Sequence, residues 1–133
     1  MKLVNFNDCK VTDKSIVTFG NFDGLHLGHD SLIRDLLKTA NRNQLKSVLI
    51  TFKPHTRSIL NKNKKNSIIT PYKFKINLLK KYPLDYISTI DFNQNFSRFE
   101  ADTFIDSIID IYNPSIILIG YDNRFGYKGK GNY

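Results

Sequence analysis

Four short runs rich in β-branched and aliphatic residues, separated by helix-like stripes, constrain what this chain can fold into. Ser15-Ile-Val-Thr-Phe19, Ser47-Val-Leu-Ile-Thr-Phe52, Tyr86 to Ile90 and Ser115-Ile-Ile-Leu-Ile119 have the length and content of buried strands. Between the first two, Leu32, Ile33, Leu36, Leu37 and Ala40 fall on one face of a helix. Thr70-Pro71 reads as an N-cap followed by proline at N1, opening a helix with Phe74, Leu78 and Leu79 on its apolar side. Phe104, Ile105, Ile108, Ile109 and Tyr112 stripe a later helix, which Pro114 closes. Parallel strands need such crossovers. The pattern predicts an α/β protein with a doubly wound parallel sheet and its ligand at the carboxyl ends of the strands.

The 133 residues, 41% of them hydrophobic, suffice for one domain with a core. No apolar run approaches the ~20 residues that span a bilayer. The first ten residues lack the apolar stretch of a secretory signal. Cys9 is the only cysteine, which excludes an intramolecular disulfide and a multi-cysteine zinc site. The expectation is a cytoplasmic protein with no membrane association. The net charge of +8 suits an anionic ligand, but it also fits the Lys, Asn and Ile bias of an AT-rich genome. No RNP-type, zinc-finger or arginine-rich motif supports a nucleic-acid partner. Oligomeric state leaves no signal. From Lys53 to Lys81 there are nine Lys/Arg and no Asp/Glu, while Asp85 to Asp110 holds six acids and only Arg98 among the bases. Such runs are usually solvated faces or loops, and Asn61 to Asn66 reads as an exposed loop.

Chemistry concentrates in Thr18-Phe-Gly-Asn-Phe-Asp-Gly-Leu-His-Leu-Gly-His29, between the first strand and the first helix. Backbone N–H groups and the positive end of a helix face an anion there, and the imidazoles of His26 and His29 add donors. With the helix starting near Gly28, His26 lies in the loop and His29 in the first turn, both within reach of one phosphate. Gly20, Gly24 and Gly28 let a nucleotide approach the backbone. Nucleotidyl transfer from ATP suits this arrangement. Two histidines with Asp23 also compose a two-His-one-carboxylate metal site, although no third histidine or cysteine accompanies them and the one other histidine is His55.

Phe19-Gly-Asn-Phe-Asp-Gly-Leu-His-Leu-Gly-His29, Thr51-Phe-Lys-Pro-His-Thr56 and Gly120-Tyr-Asp-Asn-Arg-Phe-Gly126 occur in that order. Together they resemble the bacterial FAD synthetases, the bifunctional riboflavin kinase/FMN adenylyltransferases. The resemblance runs from about Ser15 to Asn132 and implies a Rossmann-like nucleotidyltransferase fold. It further implies a flavin-handling enzyme that joins FMN to the AMP part of ATP, giving FAD and pyrophosphate with Mg²⁺. On that likeness His26 and His29 contact ATP phosphates as the catalytic pair. Phe19, Gly20, Asn21, Phe22, Asp23 and Gly28 line the ATP cleft, and Pro54, His55, Asp122, Arg124 and Phe125 lie toward the flavin and metal side. No dedicated protein metal ligand is implied, because phosphate oxygens carry most of the Mg²⁺ coordination.

Plainer roles stand beside these. Phe19, Phe52 and Phe125 fit a core, Pro54 fits a strand end, and Asp122 with Asn123 fits an Asx-type turn. Arg124 fits a surface ion pair with an acid of the 85–110 stretch, and Lys128 and Lys130 fit solvated loop charges. Two positions depart from the family pattern: Asn123 stands where phenylalanine is usual, and Thr56 where proline is common. The family's Ser-Ser-Thr-x-x-Arg segment and riboflavin kinase module are not found in residues 1–133. The resemblance therefore implies an adenylyltransferase module over residues 1–133, incomplete at its C-terminus and without the kinase.

Overall fold

The computed structural model describes residues 1–6, 8, 10–22, 27–54, 72–92 and 101–120. Among them are five strands and three helices: β1 (Lys2–Asn5), β2 (Ser15–Phe19), α1 (Leu27–Asn43), β3 (Lys46–Pro54), α2 (Tyr72–Leu79), β4 (Tyr86–Phe92), α3 (Ala101–Tyr112) and β5 (Pro114–Leu118). The strands form one parallel sheet in the order β1-β4-β3-β2-β5.

Side chains alternate across this sheet with the period of two that a pleated strand imposes. Val17, Phe19, Val48, Ile50 and Ile90 pack with Phe104, Ile108, Ile111 and Tyr112 of α3. Ile16, Leu49 and Ile87 pack on the other face with Ile33, Leu36 and Ala40 of α1 and Ile76 and Leu79 of α2. The sheet is thus covered on both faces, which explains why its central strands read as nearly continuous apolar runs. On the α3 side, Phe19 meets Phe104 edge-on at 5.2 Å, and Phe6 stacks on Phe104 at 6.2 Å. The Ser88 and Tyr112 hydroxyls are hydrogen-bonded to each other inside this layer.

Two helices end on a residue in left-handed backbone. Gln44 (φ 56°) follows α1, and the Leu45 N–H returns to the Ala40 carbonyl at 2.9 Å, closing a Schellman turn. Asn113 (φ 47°) follows α3, and its N–H reaches the Ile109 carbonyl at 3.2 Å. Pro114 accordingly opens β5 instead of closing the helix; Asn113 supplies the stop.

The α/β class, the doubly wound parallel sheet and the four expected strands are all present, β3 and β4 running two residues further than expected. Three further features differ from the sequence reading. β1 adds a fifth strand: it pairs in register with β4 (Lys2 opposite Tyr86, Asn5 opposite Thr89), held by backbone bonding with little burial. In α2 the buried residues are Lys75, Ile76 and Leu79, and Phe74 is 56% exposed. In α3 Ile111 is buried and Ile109 is 52% exposed. Thr70-Pro71 and the Asn61–Asn66 loop lie outside the described residues. Among those described, no helix is long and apolar enough to cross a membrane.

Candidate active site

The sheet order identifies one place where the chain reverses direction of winding. From β2 the chain moves to β3 and then β4; it then returns past β2 to lay β5 on the opposite side. α1 leaves β2 for one face, while α3 precedes β5 on the other. β2 and β5 therefore lie side by side where the winding reverses, the topological switch point at which open α/β sheets hold ligands. Thr18 Oγ1 donates to the Leu118 carbonyl at 2.8 Å and ties the two strands there.

The three sequence motifs leave the carboxyl ends of β2, β3 and β5, which are neighbours in the sheet. The Gly20 N–H extends the ladder to the Ile50 carbonyl at 3.0 Å. Gly20 is followed by Asn21 and Phe22, and α1 begins at Leu27, so Gly28 is its second residue and His29 its third. The helix thus presents its positive end at this edge. The His29 ring is half-buried and packs on Phe22, centroids 5.1 Å apart and planes tilted 59°. Gly120, just past β5, lies against α1: a Cβ there would come 3.3 Å from Leu32 Cδ2, so the small residue allows the first residues beyond β5 to settle on the helix.

Phe19 and Phe22 are both buried to 1%, their rings in opposite apolar layers. What these residues can offer a ligand is backbone. Phe22 also holds φ at 54°, a conformation that costs a side-chain-bearing residue roughly 1–2 kcal/mol. Phe52 is half-buried on the α3-side layer, matching its core reading. Pro54 is the last residue of β3, opposite Phe92 of β4. Asp23, His26, His55, Asp122, Arg124 and Phe125 lie outside the described residues.

One group at this edge escaped the sequence reading. Lys75, in the first turn of α2, is only 3% exposed. Its Nζ donates to the Asn21 carbonyl at 2.9 Å and to the Phe52 carbonyl at 3.0 Å. Thr51 Oγ1 donates to the same Asn21 carbonyl at 3.0 Å. Burying an ammonium costs several kcal/mol after relaxation. Hydrogen bonds from a charged donor return about 1.5–3 kcal/mol each, so these two offset much of that cost. The Tyr72 ring lies 6.0 Å from the same ammonium, and Lys53 Nζ is 5.7 Å from that ring.

The chain matches FAD synthetase over residues 8–133. It belongs to the FAD synthetase family. It is 39% identical over 135 residues to the bifunctional riboflavin kinase/FMN adenylyltransferase of Buchnera aphidicola subsp. Schizaphis graminum, covering 99% of this chain and 43% of that protein. Identity to the Bacillus subtilis protein of the same name is 33% over 119 residues, with 89% and 38% covered. The chain thus spans less than half the length of these relatives. A solved structure titled as a macrolide-efflux protein from Streptococcus pneumoniae has the same fold, with a TM-score of 0.75 and 27% identity over 98% of this chain and 43% of that one.

Proposed function

We propose that the chain transfers the AMP part of ATP to FMN, yielding FAD and pyrophosphate. The placement of His29 carries this reading: it stands in the first turn of α1, where the strand order reverses, on the helix that Gly120 past β5 approaches at Leu32. An oxygen of the FMN phosphate forms a bond to the α-phosphorus of ATP as the bond to the bridging oxygen of pyrophosphate breaks. FMN brings its own phosphate nucleophile, so no strong general base is required. Rate enhancement comes from in-line positioning and from donors fixed where negative charge grows.

In this reading His26 and His29 grip the triphosphate together with the N–H groups at the start of α1. Phe19 to Asp23, and Gly28, shape the ATP cleft, the two buried phenylalanines through their main chain. Pro54, His55, Asp122, Arg124 and Phe125 serve the flavin side. The described donors that can face a ligand here are imidazole and backbone N–H, chemistry suited to polyphosphate more than to a bare cation. Mg²⁺ therefore comes with ATP, held mainly by phosphate oxygens. Residues 1–133 act as the adenylyltransferase module, working where ATP and FMN are dissolved, in the cytoplasm.

Incubation with FMN, ATP and Mg²⁺ should produce FAD, resolved by chromatography, and the His26→Ala/His29→Ala variant should produce none. ATP and FMN binding without FAD would make this a non-catalytic nucleotide- and flavin-binding module. Calorimetry showing binding of neither ligand would end both readings.

A further inference from the structure

We infer that Lys75, with Thr51, is a positioning residue of the nucleotide site: the pair locks the peptide between Asn21 and Phe22 and thereby sets the imidazole of His29. The inference rests on the adenylyl-transfer reading for its kinetic consequence, but its structural half stands on geometry alone.

The argument begins with that peptide. The carbonyl of Asn21 and the N–H of Phe22 belong to one rigid plane. Phe22 sits at φ 54°, where a phenylalanine is strained. Rotation of the plane would relieve the strain, swinging the Asn21 carbonyl to another direction. Two donors oppose the swing. Lys75 Nζ and Thr51 Oγ1 both donate to this carbonyl, at 2.9 and 3.0 Å, from positions 3% and 0% exposed. Lys75 also donates to the Phe52 carbonyl at 3.0 Å, so α2 clamps the residues leaving β2 against β3. The Phe22 ring, fixed by the locked peptide, is buried against His29.

A lysine devoted only to stability is a poor choice for this position, because an apolar residue of similar volume avoids the desolvation cost. The backbone held in the strained conformation is the segment that leads into the phosphate-facing helix. Strain kept at such a place by surrounding contacts is a mark of a functional device.

The test uses the 133-residue chain and its Lys75→Met, Thr51→Val and Thr51→Ser variants, with Ser47→Ala at the amino end of the same strand as Thr51 as control. Each is checked for folding by circular dichroism, and the His29 imidazole resonance is recorded by NMR without substrate. Lys75→Met should displace that resonance and lower kcat/KM for ATP by about 10–100-fold, as expected for a misplaced reacting group. Thr51→Val should do the same more weakly, and Thr51→Ser should restore the native values. Ser47→Ala should lower Tm while leaving the resonance in place. A folded Lys75→Met with native resonance and native kcat/KM would overturn the inference. Should Lys75→Met fail to fold, native values in Thr51→Val would overturn it instead. If the unaltered chain forms no FAD, the adenylyl-transfer reading fails, while the His29 resonance still decides the role of Lys75.

Discussion

The two ends of the parallel sheet use polar groups in opposite ways. At the amino end, Ser47 and Asp85 exchange bonds: the Ser47 N–H donates to Asp85 Oδ2 at 2.9 Å, and the Asp85 N–H donates to Ser47 Oγ at 2.9 Å. Ser15 Oγ donates to the Tyr112 carbonyl at 2.6 Å, and Asn113 Nδ2 to the Thr12 carbonyl at 2.8 Å. These short neutral or singly charged groups stitch strand starts to the segments beside them. At the carboxyl end one such tie, from Thr18 to Leu118, is joined by a buried ammonium, a half-buried imidazole and the Thr51 hydroxyl, around a phenylalanine in left-handed backbone. Stitching requires only that each donor find an acceptor. The carboxyl end accepts strain and a buried charge as well, which is the cost structure of a site.

The strongest way to break this comparison is at His29. In the adenylyl-transfer reading His29→Ala should lower the rate of FAD formation by ~10²–10³, the usual loss for one fixed donor to developing charge. Its stability should change little, because the ring is only half-buried. Steady-state kinetics alongside thermal melting would check both halves. A Tm collapse with retained activity would assign His29 to the same stitching role as Ser47.

Next in size is the amino end itself. Ser47→Ala removes both Oγ bonds to Asp85 and should cost about 1–2 kcal/mol. For a domain of this size that is a fall in Tm of roughly 4–8 °C. FAD formation should stay within about twofold of the starting chain, as for an independent distant site. A large loss of activity at 25 °C in the folded variant would mean that the two ends are coupled, and the contrast between them would no longer hold.

The sequence discloses one end better than the other for physical reasons. Central strands carry a dense apolar signal, so Ile16, Val17, Val48, Leu49 and Ile50 announce themselves. β1 does not, because Lys2–Asn5 is short and mostly exposed, and its place comes from backbone pairing with β4. The three motifs each follow or end a predicted strand, and the sheet order makes those strands neighbours, which no local pattern contains. Lys75 was invisible for a different reason. It lies in a run of nine bases without an acid, where each lysine reads as solvated, and Phe74 beside it is the obvious candidate for burial. The available hint was position: Lys75 precedes Leu79 by four residues, so it shares the face of that buried leucine. Its acceptors are main-chain carbonyls of Asn21 and Phe52, which leave no trace in side-chain identity.

The smallest effect belongs to Asp30, which adjoins His29 in sequence yet serves neither role. Its carboxylate accepts from the Tyr82 hydroxyl at 2.5 Å and from Arg34 Nε at 2.8 Å, on an open surface. The Tyr82 hydrogen bond, then the Arg34 bond and charge, hold Asp30 below its ordinary value of 3.8. The same bond to Asp30, followed by desolvation, holds Tyr82 above its ordinary value of 10.0. A lowered carboxyl contributes stability that is present above 3.8 and lost as pH falls through the folded-state value. A raised phenol contributes stability that is present below 10.0 and lost as pH rises through its folded-state value. Tyr82→Phe should therefore lower Tm slightly at neutral pH, and the gap from the native chain should close at both the acid and the alkaline end. Exposed partners of this kind contribute little, and salt weakens the Arg34 share further. A gap that stays constant across the whole pH range would show that Tyr82 acts through packing rather than through Asp30, and that nearness to the site along α1 is no guide to what a polar group there does.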